Sequence, residues 1–288
     1  MLYLYGLEQQ LETILLLAKC RDHSFTFTTL QHTKVAYLGF LKDIQPEVSN
    51  PQALLTTNSN DVNLQIFNAS SPFNDIPHQL ITRARHSKDF LCDDDERLSW
   101  TDRALKSIFE TNRDFKLLFG LAINNVFVAP CKTAVGGTSS RAIGVIWIYP
   151  QVYWTVNDFF EFFVHELAHT LLFLDEWRYT HYSDIERLSI RKNYAISAIQ
   201  CSLRPLDKVL HSIVIAAEIL LFRMLIIGCK EKTSIHPCSA DLVGGLQQSV
   251  DCVLSMPDAR ELLSPRSFEL IQASSHIAAR AATSLASL

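Results

Sequence analysis

The stretch FFVHELAHTLLFLDE, residues 162 to 176, decides the reading of this chain. It sets His165, Glu166 and His169 in HExxH spacing within an apolar run. On an α-helix, positions four apart lie about 40° from each other around the axis and one turn along it, so both imidazoles can reach one metal ion. Glu166 projects beside them. In a hydrolase such a carboxylate takes a proton from a water whose pKa the metal has lowered. Without a metal, two imidazoles and a carboxylate are costly in an apolar helix, so a metal site is a stronger reading than two core histidines and a chance glutamate.

A third ligand is needed, and helix geometry narrows the choice. A metzincin would need a glycine at position 172 to turn the chain; Leu172 continues the helix and carries Asp175 off the metal-facing side. Glu176 returns to the face of His169 but lies about 10 Å further along the axis. The ligand must come from another segment, with His181, Glu186, His211 and Glu218 as candidates. Glu186 stands near the spacing of thermolysin-like gluzincins, somewhat short of it. His211 and Glu218 are seven apart in a very apolar stretch and so share one helix face, which makes His211 the more economical ligand. Glu218 then hydrogen-bonds a ligand or replaces it.

Working outward, NNVFVAP (124 to 130) and RAIGVIWIYP (141 to 150) are rich in β-branched and aromatic residues and end at prolines. They read as neighbouring strands, with a hairpin and long loop one possibility. The second strand could also pair with an extended peptide, or be a plain interior strand. Helical patterns cover 157 to 176, 184 to 201, 206 to 228, 240 to 254 and 263 to 285, with Asn157 or Asp158 capping the first and Gly228 ending the third. Earlier in the chain, 6 to 20 and 101 to 119 read as helices, the latter capped by Thr101 or Asp102. Polar clusters and the acidic run Asp93 to Glu96 make 45 to 100 read as loops and turns. The expected fold is α+β and mostly helical, a small sheet packed on a metal-binding, zincin-like HExxH helix. The expected organisation is an N-terminal region, 1–100, packed on a catalytic domain, 101–288.

Composition sets the frame. The 288 residues are 48% hydrophobic and 19% charged, with 9 Gly and 10 Pro, which excludes disordered and collagen-like chains. A net charge of -4 gives no drive toward nucleic acid or anionic membrane. The seven cysteines are odd in number and form no CxxC pair, so they read as ordinary buried residues in a reducing, cytoplasmic setting. The opening MLYLYGLEQQLETILLLAKC reads as an amphipathic helix rather than an export signal. The stretch 209 to 227 is long and apolar enough to span a bilayer, but His211, Glu218 and Arg223 make it a buried helix of a soluble protein.

The blocks GGTSSRAIGVIWIYP, HELAHTLLFLDE, RYTHY and RPLDKVLHSIVIAAEIL, within residues 133 to 225, resemble the HEXXH-motif proteins of ribosomal peptide modification, the αKG-HExxH-type peptide β-hydroxylases. The resemblance implies an iron(II), 2-oxoglutarate-dependent oxygenase acting on a peptide, with or without a leader segment. It implies His165, His169 and His211 as iron ligands, with Glu166 beside them. The common facial triad contains a carboxylate, which keeps Glu218 and Glu186 open as ligands. The distal carboxylate of 2-oxoglutarate needs a cation, and Arg141, Arg178 and Arg204 adjoin the blocks, Arg141 first because it opens the strand before the metal helix. The alternative is a zinc metallopeptidase of the gluzincin-like class, with Glu166 as general base. A leader-peptide binder with a vestigial metal helix is the non-catalytic reading.

Overall fold

The computed structural model describes residues 1–21, 29–48, 54–57, 93–129 and 135–287; Cys92, Cys131 and most of the expected 45 to 100 loop stretch lie outside them. The chain is α+β and mostly helical, with a small sheet. It divides into two units, Leu7–Leu174, and Met1–Gly6 together with Asp175–Leu288. Helix α1 (Leu2–Arg21) is kinked at Gly6, where one boundary falls.

In the first unit, helix α2 (Leu30–Ile44) starts at Thr29, whose hydroxyl accepts the His32 N–H at 3.1 Å. A short strand β1 (Leu55–Thr57) follows. Helix α3 (Asp94–Thr111) corrects the sequence reading at both ends. The acidic run is not a loop. Asp93 caps the helix by accepting the Glu96 N–H at 2.7 Å, and Asp94, Asp95 and Glu96 fill the first turn, where unpaired N–H groups favour negative charge. Thr101 and Asp102 therefore lie inside the helix. The expected 101 to 119 helix is interrupted at Asn112, which accepts the Phe115 N–H at 2.8 Å and starts helix α4 (Arg113–Ala122).

Strands β2 (Asn125–Val128), β3 (Gly136–Gly137) and β4 (Val145–Ile148) complete a sheet of order β1-β2-β4-β3. The two expected strands are neighbours, but they run parallel, Asn125 opposite Val145 and Val128 opposite Ile148. The antiparallel partner of β4 is β3. Every residue of β2 and β4 is buried, which gives continuous apolar runs that carry no direction signal. Because β4 has a neighbour on each side, it is the interior strand, not an edge open to a peptide.

Helix α5 (Val156–Tyr179) carries the HExxH residues. Its start is fixed by reciprocal bonds: the Asp158 N–H donates to Thr155 Oγ1 at 3.3 Å, and Asp158 Oδ2 accepts the Thr155 N–H at 2.7 Å. Thr155 is thus the cap, two residues earlier than expected. The sheet meets this helix closely. A Cβ on Gly136 would stand 2.3 Å from the Phe162 ring, so only glycine allows β3 to approach there.

In the second unit, Thr180 at φ 57° ends α5. The expected 184 to 201 helix breaks up into α6 (Ile185–Leu188), a 3-10 turn (Arg191–Asn193) and a strand pair, β5 (Ala195–Ile196) antiparallel to β6 (Leu203–Arg204). Short polar side chains stop it: Asn193 Nδ2 donates to the Arg187 carbonyl at 2.7 Å and Ser189 Oγ to the Glu186 carbonyl at 3.0 Å, replacing helical backbone bonds. Helix α7 (Leu206–Phe222) is buried along nearly its whole length and continues as a π-turn (Arg223–Ile227) that Gly228 ends at φ 98°. Among the described residues this is the one helix long and apolar enough to cross a membrane, and most of it is buried. Helices α8 (Ser239–Leu254), α9 (Ala259–Leu262) and α10 (Pro265–Ala286) follow, and α7, α8 and α10 pack on one another. Cys20, Cys201 and Cys238 are exposed, and Cys229 and Cys252 half-buried, so these free thiols are not the core residues expected.

Candidate metal centre

Within the first unit, the HExxH spacing does on α5 what helix geometry requires. His165 and His169 are 4% and 2% exposed, and their Nε2 atoms are 3.1 Å apart. Two imidazoles on one ion at about 2.1 Å, with an angle of about 90–109°, place their nitrogens about 3.0–3.4 Å apart, so the pair fits a shared metal. The rings are inclined at 66° with centroids 4.8 Å apart, and Phe173 stacks beyond His169 at 6.3 Å.

Glu166 lies beside them, with Oε1 4.0 Å from His165 Nε2. It is fully buried, and neither carboxylate oxygen has a hydrogen-bond partner among the described residues. Burial pushes its pKa well above the ordinary carboxylate range. An unpaired buried carboxyl is costly, and a cation beside it is the natural compensation. One turn before the motif the helix rests on aromatic rings: Phe163 meets Phe119 edge-on at 5.5 Å, and Phe162 packs beside Trp154 at 5.6 Å and close to Gly136.

The remaining candidates in the second unit have distinct surroundings. His211, on α7, is 3% exposed, and its pKa is lowered by burial first, then by Lys208 and His181, which keeps it in the neutral form a metal needs. Glu218 accepts the Tyr3 and Leu4 N–H groups at 3.0 and 3.1 Å and pairs with the Met1 ammonium, thereby closing the start of α1. Glu186 is exposed on the four-residue α6. His181 donates or accepts at Nε2 with Asp175 Oδ2 at 2.8 Å, while its Nδ1 has no partner among the described residues. Among the described residues, no group of three or more His, Cys, Asp or Glu side chains is arranged to hold a metal ion.

The three candidate arginines have different surroundings. Arg141 is exposed in the turn before β4; Arg178 sits in the last turn of α5, 4.6 Å from the Tyr179 ring. Arg204 is half-buried on β6, its pKa lowered by burial and only partly restored by Asp207.

Sequence reasoning missed a charged cluster at the end of α5. Arg266 grips Asp175 with two bonds, Nε to Oδ2 at 2.9 Å and Nη2 to Oδ1 at 2.8 Å, between the Tyr5 and Tyr179 rings at 4.7 and 4.5 Å. Asp175 is therefore a salt-bridge partner rather than a ligand on the metal side. The only local signal was an aspartate on an apolar helix face. No protein-family model matches the chain, and no curated protein matches it.

Proposed function

We propose that the chain is a metalloenzyme with a zincin-like HExxH helix, and that it acts as an iron(II), 2-oxoglutarate-dependent hydroxylase of a side-chain β-carbon in a ribosomally made peptide. The observation that carries the metal is the 3.1 Å separation of the His165 and His169 Nε2 atoms beside the unpartnered Glu166 carboxyl. The step from metal to hydroxylase rests on the resemblance of the blocks within 133 to 225. Iron(II) with a 2-oxo acid supplies dioxygen activation and the oxidising power for hydroxylation.

The chain's own residues bind and orient. His165 and His169 present Nε2 lone pairs, which requires their protons on Nδ1. Glu166 holds or releases a proton at its carboxyl and orients what lies against the two imidazoles. The resemblance assigns the third ligand to His211. Glu218 ranks behind it because its oxygens already serve the start of α1, and Glu186 because it is exposed. A guanidinium from Arg141, Arg178 or Arg204 takes the distal carboxylate of 2-oxoglutarate. The net charge of -4 fits a peptide partner in the cytoplasm rather than nucleic acid or an anionic membrane.

A zinc peptidase is the second reading, favoured by the raised proton affinity of Glu166, which suits a general base. Zinc would supply a water made nucleophilic at neutral pH. The test is reconstitution with iron(II), 2-oxoglutarate and air over a panel of peptides. The hydroxylase gives succinate matched by gain of one oxygen in the peptide. Cleavage of peptides by the zinc form, without 2-oxoglutarate, overturns that assignment. Glu166→Gln separates them again, abolishing peptidase turnover but only weakening hydroxylation.

A further inference from the structure

Lys34 on α2 is held in a cage of oxygen atoms. Its Nζ donates to the Leu121 carbonyl at 2.7 Å, the Ile123 carbonyl at 2.9 Å and Asn124 Oδ1 at 2.6 Å. These acceptors are a carbonyl of the last turn of α4, that of Ile123 just past its end, and the side chain that precedes β2. An ammonium has three protons and fills all three positions, and helix C-terminal carbonyls favour a cation. A neutral amine has two protons, and its lone pair would face the third oxygen.

Among the described residues, no carboxylate touches this lysine. Residues 117 to 129 contain no titratable side chain. On its own helix, His32 is exposed two residues before it, and Tyr37 has its ring 5.8 Å away and donates its hydroxyl to the Ala122 carbonyl at 3.3 Å; burial drives that phenol far from titration. Arg141, in the turn that ends at Gly144, is exposed and outside the cage. The cage therefore favours the proton while burial opposes it, with no counter-charge among the described residues to settle the balance.

We propose that Lys34 is a protonation-operated clamp: the charged ammonium ties α2 to the junction between α4 and β2, and loss of its proton gives up one of three bonds and loosens that junction. The junction matters to the sheet. The Asn124 and Asn125 N–H groups donate to the Gly144 carbonyl at 2.7 and 3.2 Å, so the same residues fix the start of β4. Burial brings the Lys34 pKa from the usual 10.5 to about 7, which places the transition at neutral pH. This inference is independent of the metal centre.

The test is a pH titration by NMR of the whole protein, reading the Lys34 Cε shift together with the Ile123, Asn124 and Asn125 amides. The expected result is one shared transition with a midpoint near pH 7. Lys34→Arg, charged throughout, should leave those amides flat over the same range. A Lys34 Cε signal that does not titrate between pH 6 and 8 overturns the proposal, as does a transition that persists in Lys34→Arg. If the variant does not fold, the Cε signal of the unmodified protein decides alone.

Discussion

At the scale of single residues, spacing revealed the HExxH pair and non-local partners revealed the rest. His165 and His169 are four apart, and a helix turns that number directly into a shared direction. Asp175 was legible only as an aspartate pointing away from the metal. Its partner Arg266 is 91 residues on, and no local pattern announces such a pair. Thr180, a β-branched residue at φ 57°, turns the chain so that His181 returns to Asp175; nothing in its neighbours predicts that conformation. Asp175→Asn leaves the Arg266 guanidinium with only the exposed Glu269 carboxylate, 2.9 Å from Nη1, and should cost about 3 kcal/mol in chemical denaturation. The pH dependence has a definite sign. Burial alone would raise the Asp175 pKa, but bonds from His181 and Arg266 hold it below the usual range. The unfolded chain therefore takes up the proton first on acidification, so this contribution is complete above about pH 4 and is lost as pH falls through the folded value. Acid titration of Arg266→Met should show that loss displaced to higher pH.

At the scale of elements, sequence patterns gave existence better than boundaries. Helix α3 begins seven residues before the expected 101 because a run of acids reads equally as a solvated loop or as a favourable first turn; Asp93 settles it by capping. Asp93→Ala should cost about 1 kcal/mol of stability, measured by thermal or chemical unfolding. The 184 to 201 stretch had apolar positions at helical spacing, but Ser189 and Asn193 satisfy the backbone otherwise. Parallel pairing of β2 and β4 was hidden because fully buried strands show no alternation from which a neighbour's direction could be argued. The contact of β3 with α5 makes the next prediction. Gly136→Ala drives a methyl into the Phe162 ring and should cost about 1–3 kcal/mol. Gly136→Ala combined with Phe162→Leu should recover part of that loss, and strict additivity of the two changes in a denaturation cycle would contradict the contact.

At the scale of the whole molecule, the apolar excess of the composition is concentrated in α5 and α7, and their few polar residues are where the chemistry is assigned. The expected α+β, mostly helical fold with a small sheet was readable because helix periods and β-branched runs separate cleanly along the chain. Division into the units Leu7–Leu174 and Met1–Gly6 with Asp175–Leu288 was not readable, because one boundary falls inside a continuous helix with no glycine, proline or change of composition to mark it. His165 and His169 are proposed to hold a metal that is used with 2-oxoglutarate. The most direct measurement is metal content after anaerobic reconstitution with iron(II), followed by a 2-oxoglutarate titration, on the unmodified protein and on His165→Ala/His169→Ala. The expected result is one equivalent of iron and saturable 2-oxoglutarate binding in the first protein, with both lost in the second, which keeps its helical content. Equal metal content in the two proteins, or iron bound with no response to 2-oxoglutarate, would contradict it.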